Sequence, residues 1–309
     1  MKAVSYHIPV LLKETIDMLV INKHGVYLDC TLGGGGHAGK ILESLEPDGY
    51  LLGIDRDKQA IDHASKELSS YKNFKSVNIN FARINELEQI VFGMQFDGIL
   101  LDLGVSSKQI DDPERGFMYS EDGELDMRMD AAQGISAYDI VNSYSPGELT
   151  DIFFKYGEER NSRKITEKIV QYRDKKKIRT TGELADIIGS VCSKNFRIKT
   201  LSRIFQALRI EVNRELDELQ TVLKFSLNIL KPNGRVAVIS YHSLEDRIVK
   251  QFVNEYSTGC NCPKEFPKCV CNKKPIIRNI TKKPVCASEE EIKANSRSRS
   301  AKLRIFEKI

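Results

Sequence analysis

Over its first hundred residues the chain alternates short, nearly all-apolar runs with segments whose apolar positions recur at helical spacing. "VYLDCT" (26–31) precedes a helical segment at 37–45, and "GYLLGID" (49–55) precedes one at 58–68. "SVNINF" (76–81) precedes one at 84–92, and "FDGILLD" (96–102) follows. Strands that are apolar on both sides and separated by single helices predict a parallel sheet covered on both faces. The expected fold is a doubly wound α/β domain.

From about residue 107 to 229 the pattern predicts helices and no strand. "SPGELTDIF" places Ser145 as an N-cap, Pro146 at the first helical position and Glu148 three residues on, and "TTGELADII" repeats the device with Thr180 and Glu183. The periodic segment 201–230 reads as one helix or two, closed by "KPNG" (231–234). "RVAVISY" (235–241) is again a buried-strand run and leads into a helix at 244–256, while "PIIRNIT" (275–281) and "AKLRIFEKI" (301–309) are late strand candidates. The sequence therefore predicts a discontinuous α/β domain, 1–106 with 231–309. An all-helical insertion, 107–230, separates its fourth and fifth strands.

Composition narrows the class. Of 309 residues, 41% are apolar and 29% charged, which fits a globular chain rather than a disordered one. Glu14 and Asp17 interrupt the apolar start, and no run approaches a spanning length, so neither a signal peptide nor a membrane helix is expected and a cytoplasmic location is. The net charge of +4 hides a segregation. Residues 160–214 hold 15 Lys/Arg against 5 Asp/Glu and residues 270–309 hold 11 against 4, whereas the remainder holds 21 against 34. Two basic segments in an otherwise acidic chain read either as solvated helical faces or as contacts to a polyanion.

The candidate chemistry starts at "DCTLGGGGHAG", where four consecutive glycines, Gly33 to Gly36, lie between a strand and a helix. A bare turn there lets a ligand approach backbone N–H groups, and the helix start adds partial positive charge. Gly34, Gly36 and Gly39 satisfy G-x-G-x-x-G, and Asp55 closes the second strand about twenty residues on, where a ribose-binding acid belongs. That pattern suits a dinucleotide and S-adenosylmethionine alike. Asp102 then closes the fourth strand in "LLDLGVSS". Asp29, Asp55 and Asp102 thus end three successive strands at the carboxyl edge of the sheet, the edge at which open α/β folds bind ligands.

Together with "HIPVLLKE", "GIDRD", "ERGFMYSEDGELDMRMD", "SYHSLEDRIVK" and "NSRSRSAKLR", these blocks closely resemble the ribosomal RNA small-subunit methyltransferase H family, also called MraW, nearly end to end. The resemblance implies a class I, Rossmann-like methyltransferase sheet binding S-adenosylmethionine and a helical insertion that recognises substrate. It also implies methylation of a cytidine N4 in the decoding region of 16S rRNA, the partner being that RNA within the small subunit. Residue by residue, it implies that Gly35, Gly36, His37, Asp55, Phe81, Asp102 and Gln109 contact the cofactor. Of these the loop, Asp55 and Asp102 are also picked out by position alone; Phe81 is expected at the end of the third strand, where an aromatic can lie on a purine.

The N4 lone pair is delocalised into the ring, so the enzyme must hold the amine in line with the methyl group and accept a hydrogen bond from it. Asp102 is the expected acceptor. Many amino methyltransferases carry a base-stacking aromatic three positions after this acid, but Val105 stands there, leaving Phe117, Tyr119, Tyr241 or His242. Tyr241 and His242 are favoured because they follow the fifth strand directly. Arg115, Arg128 and the C-terminal "NSRSRSAKLR" read as phosphate contacts or as structural pairs. A nicotinamide-dependent oxidoreductase and a noncatalytic RNA-binding assembly factor are the competing readings. Cys260, Cys262, Cys269 and Cys271 could surround one zinc ion, but C-x-C pairs are not the common zinc knuckle, so no metal is assigned and thiols in a proline-rich loop are expected.

Overall fold

The computed structural model describes residues 9–130, 134–260, 262, 271 and 273–309. Its strands are β1 (Val26–Asp29), β2 (Tyr50–Asp55), β3 (Phe74–Asn78), β4 (Phe96–Asp102), β5 (Leu230–Ser240), β6 (Ile277–Asn279), β7 (Val285–Cys286) and β8 (Lys302–Lys308). They form one sheet in the order β3-β2-β1-β4-β5-β8-β6, with β7 also paired to β8. β3 through β5 run parallel, and β8 returns antiparallel between β5 and β6. The order reverses beside β1, which makes the β1/β4 boundary the topological switch point.

The helices α1 (Leu12–Leu19), α2 (Gly36–Ser44), α3 (Lys58–Glu67) and α4 (Ile84–Ile90) alternate with the first four strands. Then follow α5 (Ser107–Asp111), α6 (Ala137–Ser143), α7 (Pro146–Lys155), α8 (Ser162–Arg173), α9 (Thr181–Gly189), α10 (Arg197–Asn213) and α11 (Glu215–Ile229), and later α12 (Ser243–Ser257) and α13 (Glu289–Ala294). Successive strand residues point to opposite faces, and both faces are apolar. Leu28, Leu52, Ile99, Leu101, Val236 and Val238 share a core with Leu87 of α4, Leu223 of α11 and Phe252 of α12. Tyr27, Leu51, Leu100, Ala237 and Ile239 share the opposite core with Leu19 of α1, Ile41 of α2 and Ala64 of α3. The fold is therefore the Rossmann-like α/β arrangement.

The chain divides into an α/β unit, residues 1–104 and 216–309, and a helical unit, residues 105–215. The helical unit has its own core, with Ile140, Phe153, Ile165, Leu184 and Leu208 buried together. Between β4 and β5 no described residue forms a named strand; Glu124 and Thr180 make an isolated bridge. The boundary expected at 230/231 is corrected to 215/216. The long periodic segment breaks at Arg214, whose φ of 51° is left-handed, and the second half carries Leu219, Val222, Leu223 and Phe225 onto the sheet rather than into the helical core.

Smaller departures follow from pairing. β3 ends at Asn78, so Phe81 lies three residues beyond the strand rather than at its end. β5 begins at Leu230, before the expected turn, because Leu230 pairs with Phe96 across an irregularity that absorbs the "KPNG" segment. Among the described residues no helix is long and apolar enough to cross a membrane.

Candidate active site

Asp102 ends β4 next to the switch point, and its backbone and side chain are held from separate elements. Its N–H donates to Thr31 Oγ1 at 2.7 Å, and its Oδ1 accepts from the Tyr241 hydroxyl at 2.9 Å. Thr31 sits between two strand ends: its N–H donates to Asp29 Oδ1 at 3.0 Å, and its hydroxyl lies 3.4 Å from the same oxygen. Burial pushes the Asp29 carboxyl up to about 7, and the charges of Asp102 and Asp55 push the same way. Among the described residues, Asp29 Oδ2 is buried without a hydrogen-bond partner. Burial and the Asp102 charge likewise push the Tyr241 phenol well above its ordinary value, so it stays a donor to the carboxylate.

The glycine turn connects β1 to α2. Gly35 is the N-cap of α2 with φ 83°, and no side chain caps the helix, so its first N–H groups are left to other partners. Gly33 N–H donates to Asp55 Oδ2 at 2.8 Å, and Asp57 N–H to Asp55 Oδ1 at 2.9 Å. Each oxygen of Asp55 retains a further acceptor site, and the residue is partly exposed. At Gly36 a Cβ would meet the Pro9 ring at 2.7 Å, so one of the bare positions accommodates the protein's own chain.

His37 follows in the first turn of α2 and is 5% exposed. Its Nε2 lies 3.1 Å from the Val10 carbonyl, which can only accept, so Nε2 carries the proton. Burial lowers the imidazole to about 4, leaving Nδ1 a lone pair 3.4 Å from Asp102 Oδ2. The pair is thus two acceptors side by side rather than an ion pair.

The remaining predicted residues separate into groups. Phe81 is 9% exposed within the sheet core, with the Arg56 guanidinium 5.5 Å from its ring centre. Gln109 belongs to the helical unit, where its Oε1 accepts from Ser106 N–H in a capping box. Phe117 and Tyr119 pack against the helical core, Tyr119 edge-on to Phe205. His242 caps α12: its Nδ1 faces Glu245 N–H at 3.5 Å, and its N–H donates to Glu245 Oε2. Its Nδ1 thus serves the helix start, while its Nε2 is buried 3.2 Å from Glu245 Oε1; of the two late aromatics it is Tyr241 whose hydroxyl reaches Asp102.

Arg115 donates to the carbonyls of Arg128 and Met129, and Arg128 forks onto Asp126, so both arginines serve the helical unit itself. In the C-terminal basic block, Lys302 and Arg304 pair with Asp246. Sequence reasoning missed Thr31, the Val10 carbonyl and the Glu245 cap. Thr31 had a local signal, a threonine two residues after a strand-end aspartate, where an Asx turn forms.

The strand-end carboxyls, the uncapped helix start and Asp55's remaining acceptor sites fit a cationic, ribose-bearing cofactor. The profile of the MraW methylase family matches residues 4–309. A ribosomal RNA small subunit methyltransferase H from Caldicellulosiruptor saccharolyticus is 49% identical over 98% of this chain and 99% of its own. Another of that name from Clostridium botulinum is 50% identical over the same shares. Among solved structures, an rRNA methylase from Streptococcus thermophilus aligns over 98% of both chains at 11% identity and a TM-score of 0.44. A full-length profile match, joined by relatives sharing half their residues, places the chain: it belongs to the MraW methylase family.

Proposed function

We propose that this chain transfers the methyl group of S-adenosylmethionine to the exocyclic N4 of a cytidine in 16S rRNA, acting on the small ribosomal subunit in the cytoplasm. The observation that carries the chemistry is Asp102, fixed at the switch point by Thr31 and Tyr241 beside the glycine turn. The substrate class rests on the relatives, which are named for small-subunit ribosomal RNA. When bound, S-adenosylmethionine supplies an activated methyl group. Asp55 would hold its ribose hydroxyls, Gly35, Gly36 and His37 its methionine side, and Phe81 the adenine edge.

The protein's own part is to orient the amine and localise its lone pair. Asp102 accepts a hydrogen bond from the amine, and its carboxylate takes up the proton the nitrogen sheds. Neutral His37 supports this role. An imidazolium beside Oδ2 would make the carboxylate a poorer acceptor, whereas the bare Nδ1 leaves its basicity intact. Tyr241 is a positioning residue that orients Oδ1. The helical unit carries the substrate-recognition part, with Lys164, Lys168, Lys194 and Lys199 exposed and Phe196 and Ile198 exposed among them. Basic side chains interleaved with an aromatic suit a nucleic-acid surface.

The test is transfer of labelled methyl to unmodified small subunits and to naked 16S rRNA, followed by digestion to nucleosides. Label in N4-methylcytidine, abolished in Asp102→Ala protein that still binds S-adenosylmethionine, is the expected result. Label in another nucleoside, or none with either substrate, overturns the assignment of the atom; near-normal turnover by Asp102→Ala overturns the role of the carboxylate.

A further inference from the structure

Between α12 and β6 the chain makes an excursion whose two ends are clamped together. Ile276 N–H donates to the Tyr256 carbonyl at 3.0 Å, and the Lys273 ammonium to the Glu255 carbonyl at 2.8 Å. The described residues of this excursion include three cysteines, Cys260, Cys262 and Cys271, whose sulfurs lie within 4.8 Å of one another. Cys269, the fourth cysteine of the sequence cluster, lies outside the described residues. A tetrahedral ion with metal–sulfur bonds of about 2.3 Å sets its thiolates roughly 3.8 Å apart, so only a small contraction separates this cluster from a coordination shell.

Two further features favour thiolates here. Cys262 N–H approaches Cys260 Sγ at 3.3 Å, the backbone-to-sulfur contact that stabilises charge on a ligating sulfur. Lys273 and Lys274 follow Cys271 by two and three residues, so the chain beside the cluster is cationic. Cys260 and Cys271 are exposed residues and Cys262 is half-buried. None of them belongs to the methyl-transfer site.

We propose that Cys260, Cys262 and Cys271 form a thiolate site for a zinc-class divalent cation, which fastens the excursion between α12 and β6. Binding changes no oxidation state: three thiols release their protons to solvent and three sulfur–metal bonds form, leaving the fourth tetrahedral position to a further donor. This proposal departs from the sequence expectation of thiols without a metal. The same soft donor set would take cobalt(II) as a spectroscopic substitute.

The test is elemental analysis of full-length protein purified under reducing conditions without chelator, together with cobalt(II) titration of chelator-stripped protein. About one zinc per chain is expected, with intense thiolate-to-cobalt charge transfer that one equivalent of zinc abolishes. The Cys260→Ser/Cys262→Ser/Cys271→Ser variant should lose both signals, and Cys286→Ser, at an exposed cysteine outside the cluster, should keep both. Because the readout on stripped wild-type protein needs no variant, a misfolded triple mutant would not blur the result. Metal-free protein that develops no charge-transfer band, full zinc retention by the triple variant, or an unreduced mass showing these cysteines joined in disulfides would each overturn the site.

Discussion

Asp29 and His37 are buried groups displaced in opposite directions, and they tie the site to pH. The native Asp29 carboxyl titrates at about 7 against an ordinary 3.8, so between those values the folded chain holds a proton that the unfolded chain releases. That contribution to stability declines as pH rises toward 7. His37 titrates at about 4 when folded against 6.5 when unfolded, so its contribution grows as pH rises over that window. The two slopes oppose each other in the parent protein. Asp29→Asn should remove the falling slope, so that urea unfolding gives the variant a stability, relative to parent, that climbs from pH 4 to 7 and then levels off. A difference that stays flat over this range would show that Asp29 is ionised in the folded protein. At this scale the sequence revealed which residues matter better than how they meet. Asp29, Asp55 and Asp102 were legible because each ends an apolar run, but the Thr31 bridge and the Nε2–H bond to Val10 depend on where three-dimensional neighbours fall.

At the scale of elements, α11 is the informative case. Its periodicity is continuous with that of α10, and nothing in hydrophobic spacing says that the apolar stripe changes core at Arg214. The structure shows the break in a left-handed residue and in the partners that follow it. Leu223 is fully buried against the sheet, so Leu223→Ala should cost about 2–5 kcal/mol. Hydrogen exchange should place that destabilisation in β1, β4 and β5 and leave α6 through α10 protected. Deprotection confined to the helices would return α11 to the helical unit. The parallel strands were readable from their continuous apolar runs, and the capping box of Ser145 and the N-cap of Thr180 from their spacing. The antiparallel return of β8 was not, since a buried apolar run carries no sign of direction.

For the molecule as a whole, charge is the property that the sequence displayed and the structure sorted. Both basic segments were visible in counts, yet many of their cations are spoken for: Arg203 pairs with Glu159, Arg209 with Glu215, and Lys302 and Arg304 with Asp246. Lys164 and Lys168, four residues apart on α8, are exposed and share a face. Replacing both with Gln should weaken binding to small-subunit RNA and make log K against log salt shallower by roughly 0.7–0.9 for each phosphate no longer neutralised. Arg128→Gln should leave that slope unchanged, because its guanidinium is already bound to Asp126. An unaltered slope in the lysine variant would remove α8 from the RNA-binding surface.

The insertion of β8 between β5 and β6 also sets an order of events during synthesis. β4 is complete at Asp102, but its parallel neighbour β5 begins only at Leu230, and β5 in turn receives β8 only at Lys302–Lys308. At translation rates of about 5–20 residues per second, the nascent chain carries an unfinished sheet for roughly 10 to 40 s after β4 is made. The helical unit, with a core of its own, can close during that wait, whereas the apolar edge of β4 has no partner within the same stretch of chain. The sheet therefore stays open until β8 has been made, and any chaperone that attends this protein has its work in the interval before that.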